Sequence, residues 1–146
     1  ITPARRYGPC CAPGPQYLPL DGLNARLIAR GMADAEHFSF VYMTAGNSEE
    51  ARRIARTLVE ERLAACVNIL DNMNSFYEWK GQIQDDREVV LIAKTRRTLF
   101  MQLAARVKEL HSYEVPCIVE LPLQGGHAPF LEFIERQTTP PGRSVQ

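Results

Sequence analysis

Several things are scarce in this 146-residue chain, and each shortage removes a class of protein. No apolar run approaches the 18 or so residues that a membrane-crossing helix needs, so no membrane partner is expected. Seventeen basic residues balance seventeen acidic ones. That balance argues against a surface built for nucleic acid or another polyanion. Four cysteines are too few and too scattered for a disulfide framework: Cys10 and Cys11 are adjacent, while Cys66 and Cys117 stand alone in predicted strands. They lack the paired spacing of a zinc site, and buried thiols in a reducing compartment are the simplest account. A nucleophile elbow, an HExxH pair, a P-loop and a dinucleotide fingerprint are all missing. The chain is therefore not expected to be an enzyme.

What is present falls into three parts. Residues 1–36 carry five of the ten prolines before residue 20 and show no helical or alternating period, so they read as a tail or linker. Arg5, Arg6, Arg26 and Arg30 face only Asp21 over residues 1–31, a net of +3, and the remainder of the chain sums to −3. Met32 reads as a native start with cloned or untranslated sequence ahead of it; a transit-like peptide is the second reading. Residues 37–138 form one domain with a core, and residues 139–146 a C-terminal tail.

Within the domain the hydrophobic periods alternate between two and 3.6. Phe38–Thr44 is a first strand. Asn47 opens a helix as its N-cap, with Glu50 where a capping-box acid would reach back, and Ala51, Ile54, Ala55, Leu58, Val59 and Leu63 make an apolar stripe. A second strand runs from near Ala65 to Trp79, broken by a bulge around 71–74. Lys80-Gly81 turns it into a third strand over 82–95. Val89–Ala93 is apolar on both faces, as befits the middle of a covered sheet. A second helix spans about 97–111, and a fourth strand 115–121 with Pro116 at its start or edge. Pro129 begins a short terminal helix. The order β-α-β-β-α-β plus a helix predicts an α+β, ferredoxin-like sandwich. The hairpin is longer than a small monomer needs, which points to packing on another subunit.

The motifs Arg62-Leu-Ala-Ala-Cys-Val-Asn68, Tyr77-Glu-Trp-Lys-Gly81, Lys94-Thr95, His111-Ser-Tyr-Glu-Val-Pro116 and Phe130-Leu-Glu-Phe-Ile134 occur in an order and spacing that resemble the CutA divalent-cation tolerance family over about residues 38–137. The resemblance implies a ferredoxin-like subunit in a tight homotrimer, long hairpins extending sheets between subunits, and a role in tolerance of copper and other divalent cations without an established reaction. It also implies a fold similar to that of PII signalling proteins. Met43 and Ala45 stand where relatives often carry a cysteine, Ser112 replaces a usual proline, and Phe133 a common tryptophan.

Two candidate sites follow. Copper favours imidazole with thiolate or thioether, so His111, Cys117 and Met43 are the candidate metal ligands, ahead of Cys66, His37 and His127. Against this, Met43 and Cys117 read more simply as core side chains and His111 as a helix-end histidine favoured by the dipole. Tyr77, Trp79, Lys94 and Tyr113 form the candidate pocket at a subunit cleft, with aromatic bodies, polar tips and a donor for an anionic ligand; subunit packing is the alternative. The expected function is a cytoplasmic, homotrimeric divalent-cation response protein that binds copper or another divalent ion. The rivals are a PII-like sensor of a small anionic metabolite or nucleotide, and a trimeric scaffold for a partner protein.

Overall fold

The computed structural model describes residues 37–140. The tail before residue 37, with its arginines, Cys10, Cys11 and Met32, lies outside the described residues. So do residues 141–146.

Four strands form one antiparallel sheet: β1 (Phe38–Ala45), β2 (Cys66–Trp79), β3 (Gln82–Arg96) and β4 (Ile118–Pro122), in the spatial order β2-β3-β1-β4. Helix α1 (Ser48–Glu60) links β1 to β2. A 3-10 turn (Arg97–Leu99) leads into α2 (Phe100–Leu110), which links β3 to β4, and α3 (Ala128–Thr138) follows. This is the ferredoxin-like α+β arrangement that the periodicities predict.

The core lies between the sheet and the first two helices. Val41, Met43 and Ala45 of β1 and Val89, Leu91 and Ala93 of β3 meet Ile54 and Leu58 of α1 and Leu103 and Val107 of α2. Alternation along each strand sends the intervening residues to the opposite face. There Leu70, Val119 and Leu121 stay about half exposed, at 55%, 48% and 51%. Val89–Ala93 is apolar on both faces as predicted, but among the described residues α1 and α2 cover only one of them, although Val90 on the other is itself 7% exposed. A smaller cluster joins Leu131 and Ile134 of α3 to Phe38 and Ala65.

Local chemistry sets the element ends. Asn47 caps α1 by accepting the Glu50 N–H at 2.9 Å. The predicted capping box is reshaped: the Glu50 carboxylate receives Gly46 N–H at 3.3 Å and Ser112 N–H at 2.6 Å, rather than the amide of Asn47. Arg62 takes a left-handed φ of 58° just past α1, and its guanidinium donates to the carbonyls of Gln137 and Thr139. Lys80 and Gly81, with φ of 53° and 80°, make the mirror-image turn that suits a right-twisted hairpin. β4 starts at Ile118 rather than Val115. Pro116 has no N–H to give a ladder, and residues 112–117 form a loop instead. Cys66 and Cys117 are free thiols and half-buried rather than fully buried.

Candidate functional site: a cleft at the base of the hairpin

The sheet is irregular where the hairpin leaves the domain. Leu70 pairs with Val90, but Met73, not Asn72, pairs with Glu88, and Asn72 adopts a left-handed φ of 67°. This bulge inserts one residue and reverses the facing of everything beyond it. Asn68 and Leu70 share the open face. After the bulge Met73, Ser75, Tyr77 and Trp79 take their place. They line an open cleft of about 670 Å³ with Tyr42 and Thr44 of β1, Glu88 of β3 and the 112–117 loop.

Glu88 is the electrostatic centre of this cleft. Its side chain is 8% exposed, accepts the Thr44 hydroxyl at 3.2 Å, and lines the cleft together with Tyr113. No lysine, arginine or histidine among the described residues forms an ion pair with it. Burial and then the charge of Glu88 push the Tyr113 phenol up to about 12. Burial and the Glu88 charge raise the Cys117 thiol as well. The Tyr42 phenol is raised by burial, then by Cys117 and Glu88, and its hydroxyl donates to Met73 Sδ at 3.4 Å. Tyr77 donates to Asp86 Oδ2 at 2.7 Å, and that bond raises its own phenol.

The predicted metal ligands are not gathered in one place. Met43 is 1% exposed and sits in the core on the helix side of the sheet, while Cys117 lines the cleft on the other side. His111 is buried with both ring nitrogens engaged: Nε2–H donates to Thr44 O at 2.7 Å, and Nδ1 accepts Tyr113 N–H at 3.0 Å. Coordination at either nitrogen would break one of these bonds. As a set these three residues do not fit a copper ion. Among the described residues no group of three or more His, Cys, Asp or Glu side chains is placed to hold a metal. His37 directly precedes β1, and His127 directly precedes α3.

Of the predicted pocket, Tyr77, Trp79 and Tyr113 come together in the cleft. Lys94 does not. Six residues along β3 from Glu88, or roughly 20 Å of strand, its ammonium is held by Asn68 Oδ1 and the Ile92 carbonyl and lies 5.7 Å from the Phe40 ring centre. Burial lowers its pKa. Tyr42, Met73 and Glu88 escape a reading of the sequence alone. The period of two would place Tyr42 with Thr44, but the facing of Met73 depends on where the bulge falls. A second groove, beside Arg96 and Glu135, carries charges already paired to each other at 3.6 Å.

A family profile described as "CutA1 divalent ion tolerance protein" matches residues 39–137. The chain belongs to the CutA1 family. It is similar to the divalent-cation tolerance protein CutA of Thermus thermophilus, with 46% identity over 98 residues covering 67% of this chain and 95% of that protein. The chloroplastic protein CutA of Arabidopsis thaliana is 43% identical over 98 residues, 67% of this chain and 54% of its own length. The match to this plant relative thus spans about half of it. The crystal structure of CutA1 from Oryza sativa superposes with a TM-score of 0.70 at 40% identity, over 73% of this chain and 97% of that one. The matched region of this CutA family member takes in all four strands of the described sheet save Phe38, so the cleft belongs to the family domain.

Proposed function

We propose that this chain is a divalent-cation tolerance protein that works as a homotrimer, and by binding its cation, copper foremost, rather than by catalysis. The observation that carries the reading is the buried Glu88 carboxylate, which accepts the Thr44 hydroxyl, has no ion-pair partner among the described residues, and lines the cleft. A buried carboxylate without a counter-charge is stabilised by a cation. The cleft adds Glu114 and, among the described residues, no lysine or arginine. Its charge favours a cation over the anionic metabolite that a PII-like sensor would hold, and Lys94, the expected anion donor, lies elsewhere.

Trimerisation is supported by surface that one chain leaves uncovered. Val119 and Leu121 sit on the open face, and the distal hairpin exposes Phe76 at 69% and Ile83 at 73%. The outer edges of β2 and β4 carry no partner strand in the described sheet. A reducing compartment such as the cytoplasm suits the free thiols of Cys66 and Cys117.

Calorimetric titration of the reduced, metal-free chain with copper, with mass from light scattering on the same sample, tests this reading. Saturable binding near one ion per chain by a trimer is the expected result. A trimer that binds no copper would overturn direct binding, and a stable monomer would overturn the assembly.

A further inference from the structure

Resting on that reading, we infer that the cation is taken by a specific soft-donor site in the cleft: the Cys117 thiolate, the Met73 thioether and the Glu88 carboxylate, gathered around the Tyr42 hydroxyl. Tyr42 is the hub: its hydroxyl bonds Met73 Sδ at 3.4 Å, and Met73 stands opposite Glu88 in the ladder. Cys117 directly precedes Ile118, which pairs with Met43, the residue after Tyr42. All four side chains line the same open cleft, on the face of the sheet away from the helices.

The elements bring these donors together for reasons visible in the chain. Met73 reaches this face only because the bulge after Leu70 reverses the facing of β2, and it then stands opposite Glu88 in the ladder. Cys117 arrives from the other side, in the loop just before β4. The Tyr42 position on β1 lies between them.

The chemistry of the set gives its selectivity. Two sulfur donors with one carboxylate suit soft and borderline ions such as copper, cadmium and zinc, and give magnesium or calcium little. On binding, the thiol proton passes to buffer as the sulfur–metal bond forms. The Tyr42 hydroxyl releases Met73 Sδ and remains beside the ion as a polar neighbour.

Cadmium is the probe of choice, because a thiolate–cadmium bond gives an ultraviolet charge-transfer band that carboxylates do not. The reduced full chain is titrated with cadmium, and separately with magnesium as the hard-ion control. We expect one cadmium per chain with the band, and no saturable magnesium binding. Cys117→Ser should abolish the band, and each of Cys117→Ser and Glu88→Gln should weaken cadmium by roughly ten- to a hundred-fold. Met73→Leu should weaken it less and keep the band. A Cys10→Ser/Cys11→Ser/Cys66→Ser chain should keep both band and affinity, and its intact binding shows that loss in Cys117→Ser is local even if that variant is less stable. A band and affinity that survive Cys117→Ser, or that vanish with the other three thiols replaced, would overturn this site while leaving cation binding by the protein in place. Failure of the unsubstituted chain to bind either copper or cadmium would overturn the binding reading and this site together. Magnesium bound as tightly as cadmium would overturn the soft-donor assignment.

Discussion

Glu50 in the first turn of α1 accepts the backbone N–H of Ser112, 62 residues away, at 2.6 Å. The same carboxylate takes the Ser112 hydroxyl at 3.1 Å and the Gly46 amide at 3.3 Å. Through it the end of β1, the start of α1 and the loop carrying Tyr113 and Cys117 are fastened at one point. His111 reinforces the point from the other side by bonding Thr44 O and Tyr113 N–H. The cleft wall is therefore held by a buried carboxylate that is itself not in the cleft.

Glu50 should make stability depend on acidity. Burial by itself would raise its pKa, but the Ser112 amide and hydroxyl, the adjacent His111 and the Gly46 amide together outweigh burial and hold it below the ordinary carboxylate value. A lowered folded-state value means the stabilisation is complete above the ordinary carboxylate range, near pH ~4.3 for a free glutamate, and is lost as pH falls through the folded value. Glu50→Gln should cost about 1–3 kcal/mol at neutral pH. Thermal melts of both proteins from neutral to strongly acid pH should show the gap closing at the acid end. A gap independent of pH would contradict the charge-based account.

Among the described residues Tyr113 should be the phenol most reluctant to ionise, its pKa pushed up to about 12 because burial and the Glu88 carboxylate both oppose its anion. Tyr113→Phe removes the hydroxyl that burial and the nearby Glu88 charge keep protonated. Spectrophotometric titration of the folded chain should lose its most alkaline tyrosine step in this variant. Gly46 stands against the same ring: a Cβ there would lie 3.1 Å from the Tyr113 hydroxyl. Gly46→Ala should accordingly disturb the same titration step.

The uncovered face of the sheet makes a prediction about assembly. Val119 and Leu121 are each about half exposed in the single chain, so a charge there should cost the isolated fold little. Val119→Glu should instead lower the mass seen by light scattering toward that of one chain, since a buried, unpaired carboxylate is costly at an interface. Unchanged mass with unchanged melting would remove this face from the interface.

Most of the fold was legible because its signals are local. Asn47 announces the start of α1, Lys80-Gly81 the hairpin turn, and the periods of β1 and β3 the two faces of the sheet. The apolar pattern predicts β4 from Val115, but Pro116 has no N–H for the ladder, and residues 115–117 belong to the loop before it. The site was legible only in part. Tyr77, Trp79 and Tyr113 could be grouped from their motifs. Lys94 shares their face but lies well along β3, and the bond of His111 to Thr44 O, 67 residues away, leaves no trace in spacing.

The amino-acid order by itself thus determined the element sequence, the ferredoxin-like architecture and family membership, because caps, turns and hydrophobic periods act over a few residues. Tertiary structure alone decided which donors meet. A one-residue bulge chose the face on which Met73 appears, and antiparallel pairing set it opposite Glu88. Packing buried Met43 on the far side of the sheet from Cys117. Contacts between residues dozens of positions apart depend on register and on which side chains are already committed, and neither is written in local spacing.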